Sequence, residues 1–420
     1  MASTSRRFFV MRSSAVFVAC MLVAAPTMEG GGIGAARFKE LVKHAERVCG
    51  SPFRPMPGIV FLGDREFDRR YAASIVKRTF APSLVKRASR SVTAFVPPAS
   101  NTICFRESRG GILELSLVAS EIPKFEDVFI VHELVHVWQN QNIGRHGGAE
   151  GMGNLVRWAL MEGHAEFLTA RYCAATGRTE LLKRLRIGRF GKGASASNIA
   201  ASDRYFLYEE SARFFETLAA QKPSLGLWDI LKDPPTERQI VYPREYLQGV
   251  RKAVQDLAGW RTTLEKWRRK GERRSGVARV GFVALRNFVW EATRSKTKRK
   301  KILDEFSNGA RLTNSSLRAT VLAFQVEESA ALCFKIVLSS HGVVAAAKPA
   351  LHRAADGSSI VHTSFTKQVP GRKDHALVTL IQHRGTVVEV AWKNPPMDKR
   401  GTRSLCKRLL EDYSSAERVK

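Results

Sequence analysis

The stretch Val131–Gln141, VHELVHVWQNQ, holds two histidines four residues apart with a glutamate directly after the first. On a helix, positions i and i+4 share a face. His132 and His136 can therefore turn their imidazoles toward one point, with Glu133 rotated to the side. Phe125 and Phe129 fall on the histidine side of such a helix, and Val128, Val131, Val135 and Trp138 on another. A helix that is apolar nearly all round belongs inside a protein. Two neutral imidazoles and a carboxylate lose stability there unless they find partners. A divalent cation satisfies all three, and the HExxH spacing is the one at which a zinc ion takes both histidines. The plainer alternative is two histidines that fall on one helix by chance.

A hydrolytic zinc site takes three protein ligands, so two histidines leave it incomplete. Downstream, ALMEGHAEFLTARY places Glu162 and Glu166 four apart on a second expected helix, about Leu155 to Ala174. One of these carboxylates can be the third ligand. The other can accept a hydrogen bond from the free ring nitrogen of a ligand histidine. His164 points elsewhere on that helix and is a rival ligand.

Further out, PGIVFLGDREFDRRY reads as a strand, Ile59 to Leu62, followed by a helix from about Asp64. SVTAFVPPASNTICF reads as strand, turn and strand, broken at Pro97-Pro98. Alternation from Ile112 to Leu117 marks another strand, on which an extended peptide could lie by strand addition. The motif helix starts near Pro123, and a glycine-rich loop, Gly144 to Gly153, separates it from the second helix. A third helix spans about Asp203 to Gln221, and DPPTERQIVYPREYL is a proline-punctuated link into another. The runs KWRRKGERR and KTKRKK make residues 251–310 a basic helical connector, a solvated face rather than a nucleic-acid signal. Beyond about Leu312 the pattern is helix, then strands, and ALVTLIQHRGTVVEVAW alternates on both sides of an Arg-Gly turn, as a hairpin does. The expected fold class is α+β, with a smaller α+β region over 311–420. GGGIGA at Gly30 does not follow a strand and GKGASAS at Gly191 lacks Walker spacing, so both read as loops.

The 420-residue chain is 44% hydrophobic, which excludes wholesale disorder. Its net charge of +29 favours non-specific attraction to polyanions. No aromatic-basic motif accompanies that charge, so specific nucleic-acid recognition is not expected. Arg6, Arg7 and Arg12 precede the apolar run Ala15–Ala25, with Pro26 after it. Residues 1–28 therefore read as a signal peptide or an uncleaved N-terminal anchor, the alternative being an Arg/Ser-rich transit peptide. The expected location is secreted or periplasmic, with membrane contact only through that N-terminus. The six cysteines form no CxxC pair, and five remain without the leader. Neither a cysteine zinc site nor a disulfide framework is indicated.

HELVH followed by MEGHAEF resembles the gluzincin branch of zinc metallopeptidases, the thermolysin-like enzymes and zinc aminopeptidases. A group of sparsely characterised bacterial proteins is similar too, with a HExxHxxQ helix, an EGxA helix and a later PTSTEQ-x-HP-x-x-Y segment. Here Gln139 and Gln141 follow the histidines, and PPTERQIVYPREYL stands in the later position with Tyr242 where the histidine would be. The resemblance covers roughly Pro57 to Leu247. It departs in the 25 residues between His136 and Glu162, longer than in the aminopeptidases, and in lacking a GxMEN exopeptidase motif. It implies a zincin-like domain over 33–250, with Zn2+ held by His132, His136 and Glu162, and Glu166 bonding a ligand histidine. It implies Glu133 as general base, and a tyrosine as oxyanion donor: Tyr242 first, then Tyr246, Tyr205 and Tyr208. The substrate would be a peptide or protein. The rival readings are a non-catalytic binding or envelope-associated module on the same fold, and a hydrolase of a non-peptide amide.

Overall fold

The computed structural model describes residues 33–76, 92–108, 121–143, 154–190, 203–250, 276–279, 281–293, 295–313, 317–325, 327–340, 350–353, 359–368, 375–383 and 386–393. The leader, the strand expected at Ile112–Leu117 and the loop Gly144–Gly153 lie outside them. The chain mixes helices with two small sheets and is α+β. It divides into two compact units at Val250–Arg251. No helix among the described residues is long and apolar enough to cross a membrane.

In the N-terminal unit, β1 (Gly58–Leu62) pairs in parallel with β3 (Thr102–Arg106), and β2 (Ala94–Phe95) pairs antiparallel on the other side of β3. Successive side chains of a strand face opposite ways, and both faces here are apolar. Ile59, Phe61, Ile103 and Phe105 join one cluster with α1 (Ala35–Cys49) and α3 (Ile122–Ile143). Val60, Leu62 and Cys104 join another with Phe67 and Tyr71 of α2 (Asp64–Val76). The sheet is thus the middle layer between α2 and the α1–α3 pair. The buried Arg106 ties β3 to α2, with Nη1 2.8 Å from Asp64 Oδ1 and Nη2 2.6 Å from Asp68 Oδ1. On the other side, the buried Asp127 of α3 meets Arg37 at 2.6 Å and Arg178 at 3.0 Å.

α3 is buried along most of its length, as its composition requires: Phe125, Val128, Val131, Leu134 and Val137 are in the core. α4 (Asn154–Ala175) crosses it through Val135, Ala165 and Leu168. α5 (Thr179–Phe190) follows. The third expected helix is present but not uniform, since a π-helical turn, Phe206–Glu210, leads into α6 (Ser211–Gln221). Short helices α7 (Leu227–Lys232), α8 (Glu237–Val241) and α9 (Pro243–Leu247) close the unit.

The C-terminal unit is a seven-stranded antiparallel sheet in the order β4-β5-β6-β10-β9-β8-β7. Its strands are β4 (Gly276–Arg279), β5 (Phe306–Thr313), β6 (Leu317–Phe324), β7 (Ala350–Arg353), β8 (Ser359–Gln368), β9 (His375–His383) and β10 (Thr386–Lys393). The β9–β10 register pairs His383 with Thr386, the hairpin expected around Arg384-Gly385. α10 (Phe282–Ala292), α11 (Lys296–Glu305) and α12 (Glu327–Ser340) pack together, and α12 lies against β6, β9 and β10.

Two expectations are corrected here. Residues 276–310 are not a connector: they supply β4, α10, α11 and the start of β5. Two strands, β5 and β6, also precede the helix expected beyond Leu312. The reason is apolar burial. Phe282, Val283, Leu285 and Val289, and then Ile302 and Leu303 behind the lysines of α11, are all buried and need a partner surface.

Candidate metal centre

One turn of α3 brings His132 and His136 together, with Nε2 atoms 3.2 Å apart. Glu162 reaches them from α4, its Oε2 3.4 Å from His132 Nε2 and 3.5 Å from His136 Nε2. Zinc bonds of about 2.0–2.1 Å at tetrahedral angles put donor atoms about 3.3 Å apart. The three donors therefore have the separations of three corners of such a site, and they form the one potential metal-holding group of His, Cys, Asp and Glu side chains among the described residues. The imidazoles retain 13% and 18% of their side-chain surface, so neither ring is completely enclosed.

The electrostatics ask for positive charge at that point. Burial works against charging His136, yet Glu162, Glu133 and a bond to Gln139 carry it up to about 9. Burial likewise opposes ionisation of Glu162, but His136 and His132 outweigh it and hold that carboxyl below the usual range. Burial raises the Glu133 carboxyl, against the pull of His136 and His132 and with the help of Glu162. Without a metal, a proton on His136 supplies the missing charge. A divalent cation supplies more of it.

Glu166 stands one helical turn beyond Glu162, buried, with Oε1 3.4 Å from His132 Nδ1. His164 does not join the group. Its ring packs between Trp138 and Phe215, and burial with some help from His136 pushes it down to about 3, so it is neutral. The intervening Gly163 is where α4 and α6 touch: a Cβ there would lie 2.7 Å from the carbonyl carbon of Ser211, and closer still to its Cβ and Oγ. The glycine of MEGHAE is thus a helix-crossing residue beside the candidate ligand.

The tyrosines that the resemblance implies have differing surroundings. Tyr242 ends α8, stacks under the Arg238 guanidinium at 4.9 Å and lines a surface cavity with Glu216, Thr217, Gln221 and Arg244. No residue of the histidine–glutamate group lines that cavity. The preceding segment is a helix start, a capping box in which Gln239 N donates to Thr236 Oγ1 and Thr236 N donates to Gln239 Oε1. Tyr246 donates to the Asp233 carbonyl at 2.9 Å. Tyr205 lies against Arg213, and Tyr208 is buried in the π-helical turn.

Sequence reasoning missed Tyr71. It sits on α2 against Phe67 and Phe95, and its phenol is held above the ordinary range by burial, then by Glu162 and Glu133. No spacing rule links Tyr71 to Glu133 or Glu162, because their electrostatic influence on it arises only in the folded chain. Gln139 follows the motif in sequence, and in the fold it is fully buried and bonds His136 Nδ1 at 2.7 Å. The i+3 spacing from His136 was the available signal. The chain matches no protein-family model, no curated protein and no solved structure.

Proposed function

We propose that the N-terminal unit is a zincin-like domain of gluzincin type that hydrolyses peptide bonds, with zinc on His132, His136 and Glu162. The observation that supports it is the 3.2–3.5 Å spacing of three donor atoms from two crossing helices. Glu133, next to the first histidine, belongs to the same buried charge network. A zinc ion held there supplies a Lewis acid that acidifies water and polarises a carbonyl oxygen. The chain does the rest. Glu133 takes the proton of the attacking water and delivers it to the leaving amine. Glu166 orients His132. For the O–H donor to the developing oxyanion we take Tyr71 in preference to Tyr242, because its phenol feels Glu162 and Glu133 whereas Tyr242 lines a cavity without them. The apolar run and charge at the N-terminus fit a chain that works on peptides or proteins outside the cytoplasm.

The test combines metal analysis with assays of a broad peptide panel on the wild type and Glu133→Gln. Zinc in both, with turnover lost only in the variant, is the expected result. Zinc with no turnover in either would favour a binding module, and turnover of non-peptide amides alone would change the substrate class. A wild type that takes up no zinc would end the reading.

A further inference from the structure

We propose that Gln139 is a positioning residue that sets the ring tautomer of His136 and locks α3 to α4 beside the metal site. The inference rests on the metal reading above. Gln139 is completely buried, and each of its side-chain polar atoms is engaged. Its Nε2 lies 2.9 Å from the main-chain carbonyl of Met161 and 3.2 Å from His164 Nδ1. Its Oε1 lies 2.7 Å from His136 Nδ1.

The direction of these bonds follows from one fixed member. A main-chain carbonyl can only accept, so the amide nitrogen must face Met161. The amide oxygen must then face His136. An amide oxygen also only accepts, so Nδ1 of His136 must carry a proton, and when the ring is neutral the bare lone pair is on Nε2, facing Glu162 and His132. That is the atom a cation needs. The second amide proton goes to His164 Nδ1, which puts the remaining proton of that neutral ring on Nε2. Met161 immediately precedes Glu162, so one buried amide joins the backbone beside one candidate ligand to the ring of another. The backbone of α4 thereby dictates the tautomer of a side chain on α3.

The two roles separate by substitution. Gln139→Met keeps the length and loses both the acceptor and the donors. Gln139→Glu keeps an acceptor toward His136 and loses the donors to Met161 and His164. Zinc affinity is measured by chelator competition, the cobalt(II) absorption spectrum at saturation, and heat unfolding of the metal-free proteins, all on the full chain. Gln139→Met is expected to bind zinc about 10–100-fold more weakly, the range for lost outer contacts to a ligand histidine, with shifted cobalt bands. Gln139→Glu is expected to stay within about threefold of wild type for zinc while unfolding at lower temperature. A merely structural glutamine would lower unfolding temperatures and leave zinc affinity and the cobalt spectrum of the folded variants unchanged; that result overturns the proposal. So does Gln139→Glu losing as much affinity as Gln139→Met. If Gln139→Met does not fold, the ring 15N shifts of His136 in the zinc-loaded wild type decide: a protonated Nδ1 with a metal-bound Nε2 supports the proposal, and the reverse tautomer overturns it. A wild type that binds no zinc fails the metal reading and this inference together, whereas the other failures touch Gln139 only.

Discussion

Nδ1 of His132 and Oε1 of Glu166 face each other at 3.4 Å, while the Nε2 of the same ring approaches Glu162. The imidazole is thus held from both edges by carboxylates one helical turn apart on α4. Truncation to Glu166→Ala leaves His132 free to turn and is expected to weaken zinc binding by about 10–100-fold. Glu166→Gln, which keeps an oxygen at the same reach, should lose much less. Equal zinc affinity for wild type and Glu166→Ala would remove this role.

Acidity separates the metal-free and metal-loaded proteins. His136 is carried up to about 9 in the folded state from an ordinary 6.5. Its contribution to stability is full below about 6.5 and fades as pH rises through 9. Glu162, depressed in the fold, contributes above its ordinary 4.5, and that contribution is lost as pH falls through the depressed value. Heating the metal-free protein should therefore show a falling Tm between pH 6.5 and 9. Zinc must displace the His136 proton, so its affinity should climb by about tenfold per pH unit over the same range. A pH-independent zinc affinity would contradict the assignment.

At Gly163 the constraint is steric. α4 and α6 approach so closely that Gly163→Ala forces a Cβ onto Ser211. A clash of this kind costs about 1–3 kcal/mol. Because the glycine adjoins Glu162, zinc affinity should fall with stability. Adding Ser211→Gly should recover only part of the loss, since the Ser211 backbone also lies within 2.7 Å of the new Cβ. Full recovery in chemical denaturation would show that the side chain alone sets the spacing.

The two site helices are legible in the sequence because burial and ligand chemistry write themselves in one period. HELVH places two imidazoles on a face that apolar neighbours make interior, and EGHAE repeats the i, i+4 spacing with carboxylates. Their edges, Ile122 and Asn154, follow from the breaks at Pro123 and the glycine-rich loop. Other features depend on contacts far apart in the chain. The parallel pairing of β1 with β3 is invisible in either strand alone. β5 and β6 are masked by Arg311, Arg318 and the basic run before them, which read as solvated helix although Leu322 and Phe324 are buried. Tyr242 fits a motif position, but in the fold it stacks on Arg238.

The tyrosines give the sharpest comparison. Tyr71 is coupled to Glu133 and Glu162, whereas Tyr242 lines a cavity with none of the site's residues. Removing a hydroxyl that stabilises a developing oxyanion costs about 10²–10³ in kcat. Tyr71→Phe is expected to show a loss of that order with KM and zinc content little changed, because the ring keeps its packing on Phe67 and Phe95. Tyr242→Phe should stay within about threefold of wild type, since the substitution leaves the ring under Arg238. The reverse pattern in peptide-hydrolysis kinetics would return the donor role to Tyr242 and leave Tyr71 as packing alone.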